Sequence, residues 1–242
     1  MAASKIEWTE ETWNPVTGCT KCSRGCEHCY AEIFARRLQA MGNDRYKNAF
    51  KVTVHQDLFD RPLSWTKPKM IFVNSMSDLF HPDVPEQDIL DLFQVMNQAT
   101  QHTFQILTKR ADRLLSLSSK ITWTDNIWMG VSVEDNKAIE RCEKLKQTGA
   151  VIKFVSAEPL LESIKDIDLE GIDWLIVGGE SGPGCRPMKE EWVIELRDKA
   201  KETETAFFFK QWGGVRKKEA GSKLQGKSYK AYPKKKKAKK KK

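Results

Sequence analysis

Four of the six cysteines in this 242-residue chain fall within one run, GCTKCSRGCEHCYAE, Gly18 to Glu32, which leads directly into a helix-like segment. Cys19, Cys22, Cys26 and Cys29 are spaced C-x2-C-x3-C-x2-C. Thiolates this close along the chain reach one multi-iron cluster, or in principle one zinc ion. Structural zinc sites usually set their two CxxC knuckles about a dozen or more residues apart, so that two loops approach the ion from different sides. Here only three residues intervene, which crowds a zinc ion. Disulfides are the other use of clustered thiols, and they belong to oxidising compartments. The first residues, MAASKIEWTEETW, carry neither the apolar core nor the small-residue cleavage site of a secretory signal, and no apolar run approaches the roughly 18 to 20 residues of a membrane span. The expectation is a cytoplasmic protein whose clustered cysteines stay reduced and bind metal. Cys142 and Cys185 stand alone, and Cys142 reads as a small buried hydrophobe within a helix-like segment.

Such thiols need a frame, and the rest of the sequence supplies one. Apolar residues at 40% and charged residues at 31% are values of a globular protein, and the length suits one sizeable core. Short β-rich runs recur from about residue 70: MIFVNS (Met70 to Ser75), TFQILT (Thr103 to Thr108), IWMGVSV (Ile127 to Val133), VIKFVSA (Val151 to Ala157), DWLIVGG (Asp173 to Gly179) and TAFFFKQ (Thr205 to Gln211). Helix-like segments separate several of them: Pro85 to Thr100 with Ile89, Leu90, Phe93 and Met96 at helical spacing, Asp135 to Gly149, and Lys189 to Glu202. Nearly all-apolar strands are what a parallel sheet covered on both faces requires. With a further strand near Thr12 to Gly18, the expected fold is α/β, a partial TIM-like parallel barrel over residues 1–214, an open doubly wound sheet being the alternative.

Polar residues stand at the exit of each strand: Ser75, Ser77 and Asp78; Thr108, Lys109 and Arg110; Ser132 and Glu134; Ser156 and Glu158; Gly178, Gly179 and Glu180; Lys210 and Gln211. In a barrel these converge on the C-terminal rim, where such folds place chemistry, although each alone also serves as a turn or cap residue.

The formal charge of +8 resembles a nucleic-acid footprint, but it is confined to one end. Lys234, Lys235, Lys236, Lys237, Lys239, Lys240, Lys241 and Lys242 account for all of it, so the remainder is formally neutral. From residue 215 the chain lacks hydrophobic periodicity, and 215–242 is expected to be a disordered basic tail making phosphate contacts. Among eight tryptophans, Trp128 and Trp174 lie inside apolar strands and read as core, while Trp13 and Trp212 are the better candidates to stack on a base.

Within the cysteine run, Cys22, Cys26 and Cys29 form C-x3-C-x2-C with His28 just before the last thiol, which resembles the signature of the radical S-adenosylmethionine (radical SAM) superfamily. The resemblance implies three thiolates on a [4Fe-4S] cluster, with a fourth iron open to chelate S-adenosyl-L-methionine. It also implies one-electron cleavage of that cofactor to a 5′-deoxyadenosyl radical, with the electron from a donor of flavodoxin or ferredoxin type. The stretches IEWTEETWNPVTGC, GCEHCYAE, NSMSDLFH, LTKR, GVSVED, SAEPLL, GGESG and FFFKQWGG, over about residues 5 to 214, further resemble phage and prophage three-Cys-motif, radical-SAM-like proteins. There the ligands match Cys19, Cys26 and Cys29, with Cys22 as the alternative first ligand by the superfamily spacing. Carried onto this chain, the resemblance implies cofactor contacts from Ser75, Ser77 and Asp78 (the carboxylate toward the amino group), Thr108, and Lys109 or Arg110 (toward the carboxylate). Ser132 and Glu134 would add to them, as would Gly178, Gly179 and Glu180 beside the adenine. Glu134, Glu158 and Lys210 are the catalytic candidates. The function expected is modification or repair of a nucleic-acid base or nucleotide. The alternatives are a non-catalytic nucleic-acid-binding protein stabilised by zinc or a saturated cluster, and a small-molecule radical SAM enzyme with an incidental tail.

Overall fold

The computed structural model describes residues 6–234. The chain opens with β1 (Glu11–Trp13) and β2 (Val16–Thr17), crosses the cysteine run, and continues through α1 (Tyr30–Ala40) and β3 (Thr53–Val54), which pairs antiparallel with β2. The repeating part comes next: β4 (Met70–Val73), α2 (Glu86–Gln98), β5 (Thr103–Thr108), α3 (Ala111–Leu117), β6 (Ile127–Ser132), α4 (Glu140–Lys146), β7 (Ile152–Ala157), β8 (Trp174–Gly178), α5 (Glu190–Glu202) and β9 (Ala206–Gln211). A short α6 (Lys217–Ala220) and the hairpin β10 (Lys223–Leu224) and β11 (Lys227–Ser228) complete the elements.

The main sheet has seven strands, all parallel, in the order β1-β4-β5-β6-β7-β8-β9. With β2 and β3 set apart in their own pair, chain order is spatial order throughout, so the sheet curls as a partial barrel instead of reversing at a switch point as a doubly wound sheet does. Each of the six β-rich runs becomes one of β4 to β9. The predicted charged helix over 135–149 is shorter, a 3-10 turn at Asn136–Ala138 with α4 after it.

Side chains alternate across each strand with period two, and the alternation sorts the core into two layers. Val155, Ala157, Leu175, Val177, Phe207 and Phe209 point outward to the helices. Ile152, Phe154, Trp174, Ile176, Phe208, Trp128 and Phe72 point inward and, with Trp8 from the N-terminal segment, fill the floor of the barrel. Trp174 is fully buried and makes edge or tilted ring contacts with Trp8, Trp128, Phe154 and Phe208 at 5.7–6.1 Å. Trp128 and Trp174 are core, as their strands predict.

The folded body extends beyond residue 214. After the hairpin, residues 229–231 run antiparallel along the open edge of β9, with Phe209 N donating to Tyr229 O and Ala231 N to Phe207 O. Trp174 Nε1 donates to Ala231 O at 2.9 Å, and the Tyr232 ring lies 5.1 Å from the Trp174 ring. The segment covers a sheet edge that would otherwise present unpaired backbone groups. The expectation of disorder from residue 215 is therefore corrected up to Lys234, because Tyr229 and Tyr232 supply apolar contacts in an otherwise polar segment. Lys235, Lys236, Lys237, Lys239, Lys240, Lys241 and Lys242 lie outside the described residues. No helix among the described residues is long and apolar enough to cross a membrane.

Candidate functional site

The cysteine run crosses the C-terminal end of the strands, and hydrogen bonds fasten it at both ends. At its start Gly18 N donates to Met76 O, Ser77 Oγ donates to Gly18 O at 2.6 Å, and Cys19 N donates to Phe50 O. At its end Cys29 is the N-cap of α1, and Tyr30 Oη donates to Ser75 O at 2.5 Å on the loop leaving β4. Between them a 3-10 turn, Arg24–Cys26, rests on the loop after β6. A Cβ on Gly25 would stand about 3 Å from the Glu134 side chain, so any larger residue would require Glu134 to yield by a few tenths of an ångström.

One flank of the run is held by an ion pair beneath it. Arg110 Nη1 reaches Asp78 Oδ2 at 2.9 Å and Cys19 Sγ at 3.6 Å, while Nη2 donates to Thr20 O at 3.0 Å. Asp78 also accepts from Thr108 Oγ1 at 2.7 Å and from the backbone N–H groups of Phe80 and Lys109. Its carboxylate is thus fully engaged inside the fold. In this arrangement Asp78 holds Arg110 against the cysteine run.

The other flank is held from the loops after β6, β7 and β8. Arg24 pairs with Glu162 at 3.3 Å and with Asp135 at 3.6 Å. Arg186 binds Glu180 through Nε at 2.9 Å and Nη2 at 2.6 Å, Glu27 through Nη1 at 2.8 Å, and the carbonyl of Arg24 at 3.0 Å. His28 Nδ1 stands 3.1 Å from Glu180 Oε2. Burial pushes the Glu180 carboxyl up, but the hydrogen bonds from Arg186 and His28 outweigh it and hold the group at about 2. Glu180 therefore fastens the run, and the sequence offered no signal for its partner Arg186 except an unassigned charge.

The four thiols are all free; Cys22 is exposed and the other three are half-buried. Burial and the nearby Asp78 charge push Cys19 up to about 11, opposed by Arg110. A hydrogen bond from Cys22 holds the Cys26 thiol well below the ordinary range against burial, with help from Lys109 and Ser23; the same bond, together with burial, pushes Cys22 up.

The remaining rim residues form two groups. Fully buried Glu134 sits 2.8 Å from Arg141 and 3.5 Å from Lys109; burial raises its carboxyl, and the two cations bring it below its ordinary value. The Ser132 carbonyl accepts from Arg141, and Ser75 Oγ donates to Asn14. Across the mouth, Glu158 accepts from Ser156 Oγ at 3.1 Å and pairs with Lys210 Nζ at 3.0 Å. A Cβ on Gly178 would overlap Glu158, and one on Gly179 would overlap the Trp212 carbonyl. Both glycines thus let neighbouring groups approach the backbone closely.

Trp13 is buried with its indole N–H donated to Leu58 O, so it is core and cannot stack on a base. Trp212 packs on Phe209 and donates to Lys223 O, which fixes the C-terminal hairpin. Tyr30, which the sequence did not single out, stands with 59% of its surface accessible directly beside Cys29.

A parallel α/β partial barrel carrying a four-cysteine loop across its mouth is the class that fold and site define. The chain belongs to the family described as "Protein of unknown function (DUF5131)", whose sequence model matches residues 3–233. No curated protein matches the chain. Two solved structures of spore photoproduct lyase are similar. A double mutant with bound AdoMet and dinucleoside spore photoproduct is 12% identical with a TM-score of 0.51, and a single-site mutant is 14% identical with a TM-score of 0.50. Each match covers 84% of this chain and 64% of the other, so this chain spans less than two thirds of their length. At these identities the likeness is one of fold.

Among the described residues no three His, Cys, Asp or Glu side chains converge on a single-ion centre. In a four-iron cluster each thiolate binds a different iron, so the sulfurs stand further apart than around one zinc ion. Four free thiols on one loop, with Arg110 and Lys109 beside them to offset thiolate charge, are a donor set whose chemistry fits such a cluster.

Proposed function

We propose that this protein is a radical SAM iron–sulfur enzyme, related to the phage and prophage three-Cys-motif proteins, that modifies or repairs a nucleic-acid base or nucleotide. The observation that carries the reading is the cysteine run pinned across the mouth of a partial barrel whose fold is shared with spore photoproduct lyase, one structure of which holds AdoMet and a dinucleoside lesion. Cys19, Cys26 and Cys29 would hold the [4Fe-4S] cluster, Cys22 being the alternative first ligand. The cluster with its bound S-adenosyl-L-methionine would supply one-electron cleavage of the sulfonium and a 5′-deoxyadenosyl radical.

The chain's own residues would position and shield. Arg110, locked by Asp78 and Thr108, keeps a fixed cation beside Cys19. Lys109 and Glu134 form the wall beneath the 3-10 turn, and Ser75, Ser77 and Ser132 line the strand exits around it. Glu158 and Lys210 present an acceptor and a donor on the side of the mouth away from Arg110, where they would hold the amide-like edge of a base. Lys210 Nζ stands 3.0 Å from Glu158 Oε1, where it would meet a substrate heteroatom. The aromatic floor beneath closes the barrel to water from below.

The test is anaerobic reconstitution with iron and sulfide, reduction with dithionite in the presence of S-adenosyl-L-methionine, and an assay for 5′-deoxyadenosine. Product is expected from the wild type and none from Cys26→Ala. A colourless, zinc-loaded protein, or a cluster that never cleaves the cofactor, would leave the non-catalytic binding protein in its place. Comparing Cys19→Ala with Cys22→Ala identifies the first ligand.

A further inference from the structure

The described part of the chain ends near the floor of the barrel, away from the mouth. Tyr232 lies against Trp174 and Phe208, at the N-terminal end of the strands, while the cysteine run crosses the opposite end. A nucleic acid whose base enters the mouth needs a closer surface on the folded body.

The wall beside the mouth carries one. Four of the large apolar side chains most open to solvent belong to α1 and its C-cap: Tyr30 at 59%, Ile33 at 62%, Phe34 at 47% and Met41 at 70% accessible. Positions 30, 33, 34, 37 and 41 share one helical face, since α1 turns every 3.6 residues, while Ala31 and Ala35 take the packed side. Arg37 falls on that exposed stripe, and Lys47 and Lys51 lie in the next loop; all three are exposed and make no ion pair among the described residues. Residues 30–55 hold five basic and two acidic side chains, although the body before the tail is formally neutral. Cation is thus segregated onto the wall that begins at Cys29. A strip of rings with phosphate-binding cations along it is the chemistry that holds single strands, where bases stack on aromatic faces and the backbone tracks positive charge.

We propose that the exposed face of α1, with Tyr30, Phe34, Arg37 and the adjoining Lys47 and Lys51, is the docking surface for a single-stranded nucleic acid, laying the strand along the wall so that one base reaches the mouth. The inference rests on the nucleic-acid reading of the site.

The experiment measures fluorescence anisotropy of labelled single-stranded DNA and RNA oligonucleotides with the full chain across a salt series. Phe34→Ala, the pair Arg37→Glu and Lys47→Glu, and a chain lacking 234–242 are compared with the wild type. Thermal melting monitors the fold, and size-exclusion with light scattering monitors mass. Loss of one stacking partner is expected to weaken binding roughly 5- to 100-fold in Phe34→Ala. The charge reversals are expected to flatten the dependence of log affinity on log salt by about one or two. Unchanged affinity in these variants, with loss only on removing 234–242, would overturn the α1 surface and leave the substrate class standing. A wild type that binds neither oligonucleotide at low salt would overturn both. A wild-type dimer that Phe34→Ala converts to monomer without changing oligonucleotide affinity would show the stripe to be a self-association face and overturn the proposal.

Discussion

The two ends of the barrel are built on opposite principles. The floor is a stack of rings around Trp174, held mainly by packing, and its position is fixed by strand alternation. The mouth is an assembly of charges, in which Asp78, Glu134, Glu162 and Glu180 anchor Arg110, Arg141, Arg24 and Arg186 around a loop that contributes no fully buried cysteine. Packing is non-directional and tolerates water nowhere. Ion pairs aim side chains in particular directions and tolerate a ligand that replaces some of them. The molecule is apolar where it closes the barrel and polar at the mouth.

Four measurements would break or sharpen that contrast. The largest effect should come from the floor: Trp174→Ala removes a fully buried ring and is expected to lower stability by about 3–5 kcal/mol in a denaturant titration. At the mouth, Glu180 sets a pH dependence. Its carboxyl is held at about 2 against an ordinary 4.5, so the folded state binds fewer protons than the unfolded one between those values. Its stabilisation is complete above about pH 4.5 and is lost as pH falls toward 2, about 3 kcal/mol in all. Glu180→Gln should remove that part of the acid limb in a pH series of melts, and an unaltered limb would show that Glu180 is not the group responsible. Arg186→Ala leaves Glu180 nearly buried without its main partner and is expected to cost about 2–3 kcal/mol. Most of that loss should be local, read as faster hydrogen exchange over residues 19–29 with little change over β6 to β8. Uniformly faster exchange would mean that the mouth and floor unfold as one unit and that the contrast fails. The smallest effect belongs to the exposed pair Lys120–Glu86, where Lys120→Ala should shift stability by no more than about 0.5 kcal/mol.

Much of the fold was legible because it rests on local patterns. The six apolar runs had strand length, β-branched and aromatic composition and polar exits, and each became a strand in the expected order. The cysteine loop was legible for the same reason, since four thiols and the helix after them occupy adjacent positions. The rim was legible only as a set. That Ser75, Asp78, Arg110, Glu134, Glu158, Glu180 and Lys210 gather at one end is a consequence of the parallel order, but their pairing is not. Asp78 holds Arg110, and Glu180 holds Arg186, a residue without any sequence signal. Trp13 was expected to face a base and is buried because β1 docks beside β4.

The amino-acid sequence by itself determined which segments are strands, which loop carries thiols and where the formal charge lies, because each depends on residues within one or two turns of one another. Only the tertiary structure decided which charges meet. Arg186 and Glu27 are 159 residues apart, and Trp174 and Ala231 are 57. Contacts at such separations depend on sheet curvature and on the rotamers that packing leaves open. The same physics sent the C-terminal segment along β9 to the floor, away from the cysteines, and left the apolar face of α1 uncovered beside them.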